Sequence, residues 1–440
     1  GGPPTVGRRR RPRGASAAPR PAAGVSAPAT GAPPFRLRSV ALSGYGPTIV
    51  SALGHGAVLP VLALRARDLG ADVPTAALVV ALLGVGQLLT SLPAGALVAR
   101  IGERRSLALA GAVDALAMLA ASVVGSVWAL AGAVLVSGAT WTVFMLARQG
   151  YMIDVVPAGS RARALSTLGG THRVGLFVGP LVGSLVIATS GLEAVFWLAA
   201  AMSAAAGALA LLLPGPPSLA RAAAAAGQPG GGRPPRLRVL DVLREHRGVL
   251  ASLGSAVVVI GAVRSLRTGV LPLWSEQVGL DAAETSLVFG VAGLVDALLF
   301  YPAGVVMDRW GRTWVAVPVV AAVAVGLLVL PLTTGFGGVL AVAVLMAVGN
   351  GMGAGVVMTL GADVAPEQGR AQFLGGFRLA GDVGSTGGPL LVSAVAALAP
   401  LAVACWVTGG LALLGTGWVA RQVSRAERRR RLPPGAMAAR

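Results

Sequence analysis

Gly304-Val305-Val306-Met307-Asp308-Arg309-Trp310-Gly311-Arg312 closes one long apolar run and opens the next. The same pattern stands 209 positions earlier as Gly95-Ala96-Leu97-Val98-Ala99-Arg100-Ile101-Gly102-Glu103-Arg104-Arg105, with Ala99 in the place of Asp308. Pro93 and Pro302, Asp154 and Asp363, Pro157 and Pro366, Arg161 and Arg370, and Gly179-Pro180 and Gly388-Pro389 keep that offset. One fixed shift held across three segments without an insertion marks a duplicated unit.

The duplicated material is apolar. Runs of about 20 residues recur, each long enough to cross a hydrocarbon core of about 30 Å. They fall near 38–64, 75–99, 105–124, 127–153, 163–189 and 191–213, then near 247–273, 284–308, 313–332, 337–360, 370–397 and 400–420. The runs lack the period-two alternation of a lipid-facing barrel, so twelve helices are expected in two six-helix halves. Parallel repeats of six helices place a binding site at the interface of two bundles.

Composition agrees. Of 440 residues, 55% are hydrophobic and 12% charged, with a mean hydropathy of +0.76. Soluble domains carry about 25% charged residues, so the surplus apolar area faces lipid. All 36 basic residues are arginine, against 17 acids, for a net charge of +19. Such a balance raises nucleic-acid binding, but the arginines gather at the termini and in alternate loops, with few aromatics between them to stack on bases. No nucleic-acid partner is expected. A single cysteine, Cys405, excludes a disulfide framework, and His55, His172 and His246 have no metal-ligand spacing. No cofactor is implied.

Residues 1–37 form an Arg/Pro/Ala-rich segment too poor in large apolar side chains to fold, and unlike a signal peptide. Residues 38–213 form the first bundle, 214–246 a linker, 247–420 the second bundle and 421–440 a basic tail. The linker's end, from Leu237 to Arg247, has amphipathic spacing, as a solvated connector or as a short helix on the inner membrane surface. Arginines crowd 8–38, 100–105, 161–163, 221–247, 309–312, 370 and 421–431, whereas an intervening loop carries Glu276, Asp281 and Glu284. The positive-inside pattern puts both termini and the linker in the cytoplasm of a multi-pass inner-membrane protein.

The loop pattern Gly304, Asp308, Arg309, Gly311, Arg312 resembles the G-x-x-x-D-R-x-G-R signature of the major facilitator superfamily. Gly175-Leu176-Phe177-Val178-Gly179-Pro180 resembles the helix-5 motif of its drug/proton antiporters, and Gly388-Pro389 repeats part of it. Arg148-Gln149-Gly150 is similar to that group's helix-4 motif, with the gap between Arg and Gln missing. The resemblance covers about residues 38–420. It implies a latch from Asp308 to the start of helix 5, near Arg161 and Arg163, with a weak counterpart because of Ala99. It also implies that helix 5 packs on helix 8 and helix 2 on helix 11.

A Gly-x-x-x-Gly-Pro run serves either a bend or close packing. Arg100 with Asp154, and Arg309 with Asp363, occupy equivalent places and either bridge loop to helix end or stay solvated. Charges at mid-membrane need a reason. Asp114, His172, Arg173, Asp296 and Asp382 lie there, with Arg378 four residues before Asp382. The repeat sets Gln87 against Asp296 and Arg173 against Asp382, so the helix contacts that the resemblance implies pair Arg173 with Asp296 and, more weakly, Gln87 with Asp382. That pair is a proton-operated switch or a structural tie. Asp296, Asp114, Asp382 and His172 are the proton-coupling candidates, and Arg378 is the neighbour expected to neutralise Asp382. The substrate cavity is expected among helices 1, 4, 7 and 10, with His55, Arg148 and Arg264 facing it and favouring anionic or polar compounds.

The whole describes a secondary transporter of a small organic molecule, with protons as the coupling ion and export by antiport as the expected direction. Uptake by symport, and a non-transporting receptor or scaffold, are the rival readings. No G-x-x-x-x-G-K-[ST] loop provides for ATP, and no nucleophile elbow or metal set points to an enzyme.

Overall fold

The computed structural model describes residues 1–2, 44–156, 161–212, 239–366, 368 and 370–431. Residues 3–37 of the expected tail, most of the linker and the last nine residues lie outside them. The first bundle comprises α1 (Gly46–Val58, bent by 43° into Leu62–Asp68), α2 (Val73–Ile101), α3 (Glu103–Val123), α4 (Val127–Val155), α5 (Arg161–Ser190) and α6 (Ala194–Leu212). The second comprises α7 (Arg247–Gln277), α8 (Ala282–Trp310), α9 (Thr313–Val329), α10 (Gly335–Met352, then Val356–Val364), α11 (Arg370–Ala396) and α12 (Leu401–Arg431). No strand occurs among the described residues.

Ten of these are long and apolar enough to span a membrane, and bent α1 makes an eleventh. The twelfth, α11, has 27 residues. Its middle carries Arg378, Asp382 and a run of glycines, which lower its hydropathy. The last helix corrects one boundary: α12 runs eleven residues past the expected end at 420, so the basic segment begins as helix.

The local chemistry of the ends repeats with the sequence. Asp72 caps α2 by accepting the Thr75 amide at 2.9 Å, and Asp281 caps α8 in a reciprocal capping box with Glu284. The Thr75 hydroxyl and amide hold the Asp72 carboxyl below its ordinary range. α2 and α8 end on Gly102 and Gly311 at φ +82° and +105°, a backbone region that penalises a Cβ. Both glycines of the loop pattern therefore serve the turn.

Close packing follows from small residues. A Cβ on Gly138 would strike the Leu83 carbonyl, and one on Gly86 the Leu135 carbonyl, which locks α2 to α4. Gly179 meets the Leu53 carbonyl on α1, and its equivalent Gly388 meets the Ala262 carbonyl on α7. The Gly-x-x-x-Gly-Pro run is thus a helix-contact surface, and α5 and α11 each continue unbroken through their proline. Between bundles, α5 packs on α8 and α2 on α11. Leu92, Leu116, Leu212, Leu332 and Leu414 are exposed on the exterior, with Trp128 and Trp314 near helix ends, as a lipid-facing belt requires.

The end of the linker forms a short helix, Val239–Glu245, one of the two forms expected of it. Val242 is buried, Leu243 fills the space beside Gly376, and His246 meets the Phe373 ring edge-on at 5.7 Å. Its apolar face is spent on α11.

Candidate functional site

A cavity of about 270 Å³ lies between the bundles, walled by α1, α5, α7, α8 and α10. Its polar lining is His172 and Arg173 from α5, Arg264, Arg267 and Thr268 from α7, Asp296 from α8 and Asn350 from α10. Leu59, Leu176, Phe177 and Phe289 supply apolar walls.

A four-member network organises the second-bundle side. Arg267 donates to Asp296 Oδ2 at 3.2 Å, Asn350 donates its amide to the same oxygen at 2.6 Å, and Arg264 Nε donates to Asn350 Oδ1 at 2.7 Å. Asn350 thus links Arg264 to the carboxylate. Asp296 Oδ1 and Arg267 Nη1 are buried without hydrogen-bond partners. Arg173 lines the same cavity opposite Asp296.

Sequence reasoning missed Arg267 and Asn350. Arg267 stands one helical turn after Arg264, and that spacing was the available signal. Two expected cavity residues face elsewhere. His55 turns into the first bundle, where Nδ1 lies 4.0 Å from Asp114 Oδ2 and its ring lies 3.9 Å from that of Trp141, tilted by 34°. Arg148 is buried with Nε and Nη1 unpartnered, and it too stands outside the lining. His55 and Arg264 are repeat equivalents, so the two halves turn one position in different directions. Asp114 serves the first bundle's interior.

Arg378 and Asp382 lie one turn apart on α11. They form no ion pair within 4 Å; Arg378 is exposed, and an arginine preceding an aspartate by four is the weaker helical order. Asp382 lies outside the cavity lining.

At the loops, Arg312 Nε donates to Asp363 Oδ2 at 2.8 Å, where Arg309 was the expected partner. Arg309 and Asp308 are exposed. Arg100 and Asp154 make no ion pair with each other, and the repeat gives the reason. Arg312 corresponds to Glu103, so the first half sets one acid beside another. The expected latch from Asp308 involves the side chains of Arg161 and Arg163, which lie outside the described residues. Glu427 of α12 accepts the Arg312 amide, the Thr313 amide at 3.3 Å and the Thr313 hydroxyl at 2.7 Å, capping α9.

The bundles are tied at one end. Arg67 Nε donates to both Glu276 oxygens, at 3.1 and 3.2 Å. Ser184 Oγ donates to the Ala283 carbonyl at 2.7 Å, and Ser393 Oγ to the Pro74 carbonyl at 2.8 Å. All three ties lie at the face away from the helix ends Gly46 and Arg431. The two serine bonds exchange under the 209-residue shift, and Arg67 maps onto Glu276 itself. That pair therefore stands on the pseudo-two-fold axis.

Two six-helix bundles related by an internal repeat enclose a charged cavity between them. The chain belongs to the Major Facilitator Superfamily, whose family model matches residues 48–263 and again 253–437. It is 28% identical over 165 residues to the multidrug resistance protein MdtG of Salmonella typhimurium, a match of 37% of this chain and 41% of that protein. The chain thus spans about two fifths of the length of those relatives. It is 25% identical over 362 residues to the class C tetracycline resistance protein of Escherichia coli, covering 80% of this chain and 88% of that one. Among solved structures it resembles a D-xylose–proton symporter at TM-score 0.71 and 13% identity, over 89% of this chain and 99% of that one. The human organic anion transporter MFSD10 matches at 0.61 and 16%, over 88% and 100%. These structural likenesses are of fold.

Proposed function

We propose that this protein carries a small organic anion together with a proton, by alternating exposure of the cavity between its bundles. The observation that carries this reading is the cavity's charge balance: Arg173, Arg264 and Arg267 stand against Asp296 alone. Such a cavity, with apolar walls, favours an anion bearing an apolar body over a lipophilic cation.

Coupling follows from Arg267. While Asp296 is ionised it occupies Arg267 and the Asn350 amide. A proton on Asp296 removes their countercharge and leaves the guanidinium groups to an incoming anion. Two unit charges about 6 Å apart interact by roughly 2–3 kcal/mol at an effective dielectric of about 20. Proton and anion therefore strengthen each other's binding by about a hundredfold, and the effect is reciprocal. Partners that bind together travel together, so an inward proton gradient drives uptake. Arg173 supplies the first bundle's share of the anion site and changes partners as the bundles rock.

Export in exchange for protons is the second reading. The Gly175–Pro180 motif and the multidrug and tetracycline resistance relatives favour it. The arginine distribution supports cytoplasmic termini and linker in the cell membrane under either reading.

Proteoliposomes with an alkaline lumen and a trapped pH dye separate the two. The test panel holds organic anions, cations and neutral metabolites, with the parent compared to Asp296→Asn. Under co-transport, an anion added outside acidifies the lumen of the parent and leaves that of the variant unchanged. Under exchange, the lumen acidifies only when the compound is loaded inside. Absence of compound-dependent proton movement in both arrangements refutes proton coupling and leaves uniport or a ligand-binding receptor.

A further inference from the structure

A second buried carboxylate has no part in that scheme. Asp114 on α3 is 5% exposed and lies wholly inside the first bundle. Its Oδ1 accepts the Ser137 hydroxyl at 2.6 Å and the Thr140 hydroxyl at 3.1 Å, both from α4. Its Oδ2 accepts the Ser203 hydroxyl from α6 at 2.6 Å. Three hydroxyls thus donate to this one carboxyl group. A lone ion at that depth calls for a countercharge, and His55 Nδ1 stands 4.0 Å away.

His55 Nε2 is buried and has no hydrogen-bond partner, as is Nδ1 of His172. Between them lies Trp141, its ring 3.9 Å from that of His55 and 5.3 Å from that of His172. An indole face attracts a cation stacked on it. His172 also lines the central cavity, so three rings run from the buried carboxylate to the cavity wall. Beside Asp114 and His55 is a void of about 10 Å³, bordered by Ser51, Thr140 and Ser203, close to the room one water needs.

We infer that His55 is a second proton-binding residue, its imidazolium held between the Asp114 carboxylate and the tilted Trp141 ring, and linked through that ring to His172 at the cavity. The charged and titratable groups around these rings are Asp114 on α3, Arg148 on α4, and His172 and Arg173 on α5. α6 contributes the Ser203 hydroxyl and no charge among its described residues. Asp114 is thus one acid among several cations. Both Asp114 oxygens already accept hydroxyl hydrogen bonds, whereas His55 Nε2 has no partner, so the exchangeable proton is assigned to the histidine. A second imidazolium on the far face of Trp141 would meet Arg148, Arg173 and a charged His55, so His172 stays neutral while His55 is charged. The inference stands apart from the Asp296 scheme and from the direction of transport.

The chain holds three histidines, which makes the test direct. Full-length protein labelled with nitrogen-15 at histidine, in nanodiscs without substrate, gives three ring signatures across pH 5–8. His55→Gln and His172→Gln assign them, and His246, outside the spans, is the internal reference. The expected result is an imidazolium at His55 within that range, a neutral His172, and loss of the His55 imidazolium in Asp114→Asn. Ser203→Ala removes one donor from the carboxylate and is expected to reduce the imidazolium fraction at His55. It serves if Asp114→Asn does not fold. A His55 ring that stays neutral from pH 5 to 8 overturns the inference, as does a titration that neither variant moves.

Discussion

Removing the charge of Glu276 is expected to open the face away from the termini. Arg67 and Glu276 are about one-third exposed, so solvent screens their attraction. A pair of this kind contributes about 0.5–1 kcal/mol. Glu276→Gln should therefore raise the ratio of open to closed states at that face roughly two- to fivefold. Adding Ser184→Ala and Ser393→Ala removes two neutral hydrogen bonds worth about 1 kcal/mol each. The triple variant should then shift the ratio by about two orders of magnitude.

The pseudo-two-fold axis supplies the control. Because the shift maps position 67 onto position 276, the double variant Arg67→Glu with Glu276→Arg rebuilds the same pair with its members exchanged. It should return the ratio to the parent value. Arg67→Glu alone sets two acids against each other and should open the face further than Glu276→Gln. The assay is labelling of Thr268→Cys, in the cavity wall, by an impermeant maleimide applied from that face. The native Cys405 is fully buried, so the introduced thiol dominates the signal. Equal labelling rates in parent and Glu276→Gln, or a charge swap that fails to restore the parent rate, would refute the reasoning.

Four further outcomes follow from packing, capping and charge. Gly384→Ala drives a methyl into the Val258 carbonyl and should cost about 1–3 kcal/mol, seen as a lower thermal midpoint in detergent. Gly387→Ala meets nothing within 4 Å and should hold or raise the midpoint. Glu427→Ala strips the α9 start of its acceptor and should cost about 0.5–2 kcal/mol by the same measurement. Glu103→Arg gives the first half the partner that Arg312 provides in the second, and should add up to about 1 kcal/mol through a new pair with Asp154.

The repeat made the large-scale architecture legible. Its fixed shift, with the family's loop pattern, led to α5 on α8 and α2 on α11, and both contacts are present. Rotational settings were not legible, because one residue along a helix turns a side chain by about 100°. Arg264 faces the cavity while His55, its equivalent, faces Asp114. Arg312, three residues on from Arg309, makes the Asp363 bond. Asn350 escaped notice because an uncharged amide leaves no mark on a charge count, although it joins Arg264 to Asp296. The hydroxyls around Asp114 were equally silent, since serine and threonine in a membrane helix usually bond their own backbone.

A residue on a two-fold axis meets its own image. Two identical halves facing each other across that axis set arginine against arginine or glutamate against glutamate at this position, and the face would be pushed apart. The Arg67–Glu276 bond therefore exists only because the halves differ, and one continuous chain guarantees that each unlike half finds the other. Two copies of the first bundle assembled alone would reproduce the serine bonds and lose the central one. At this point in the molecule, departure from symmetry is what allows the symmetric scaffold to close.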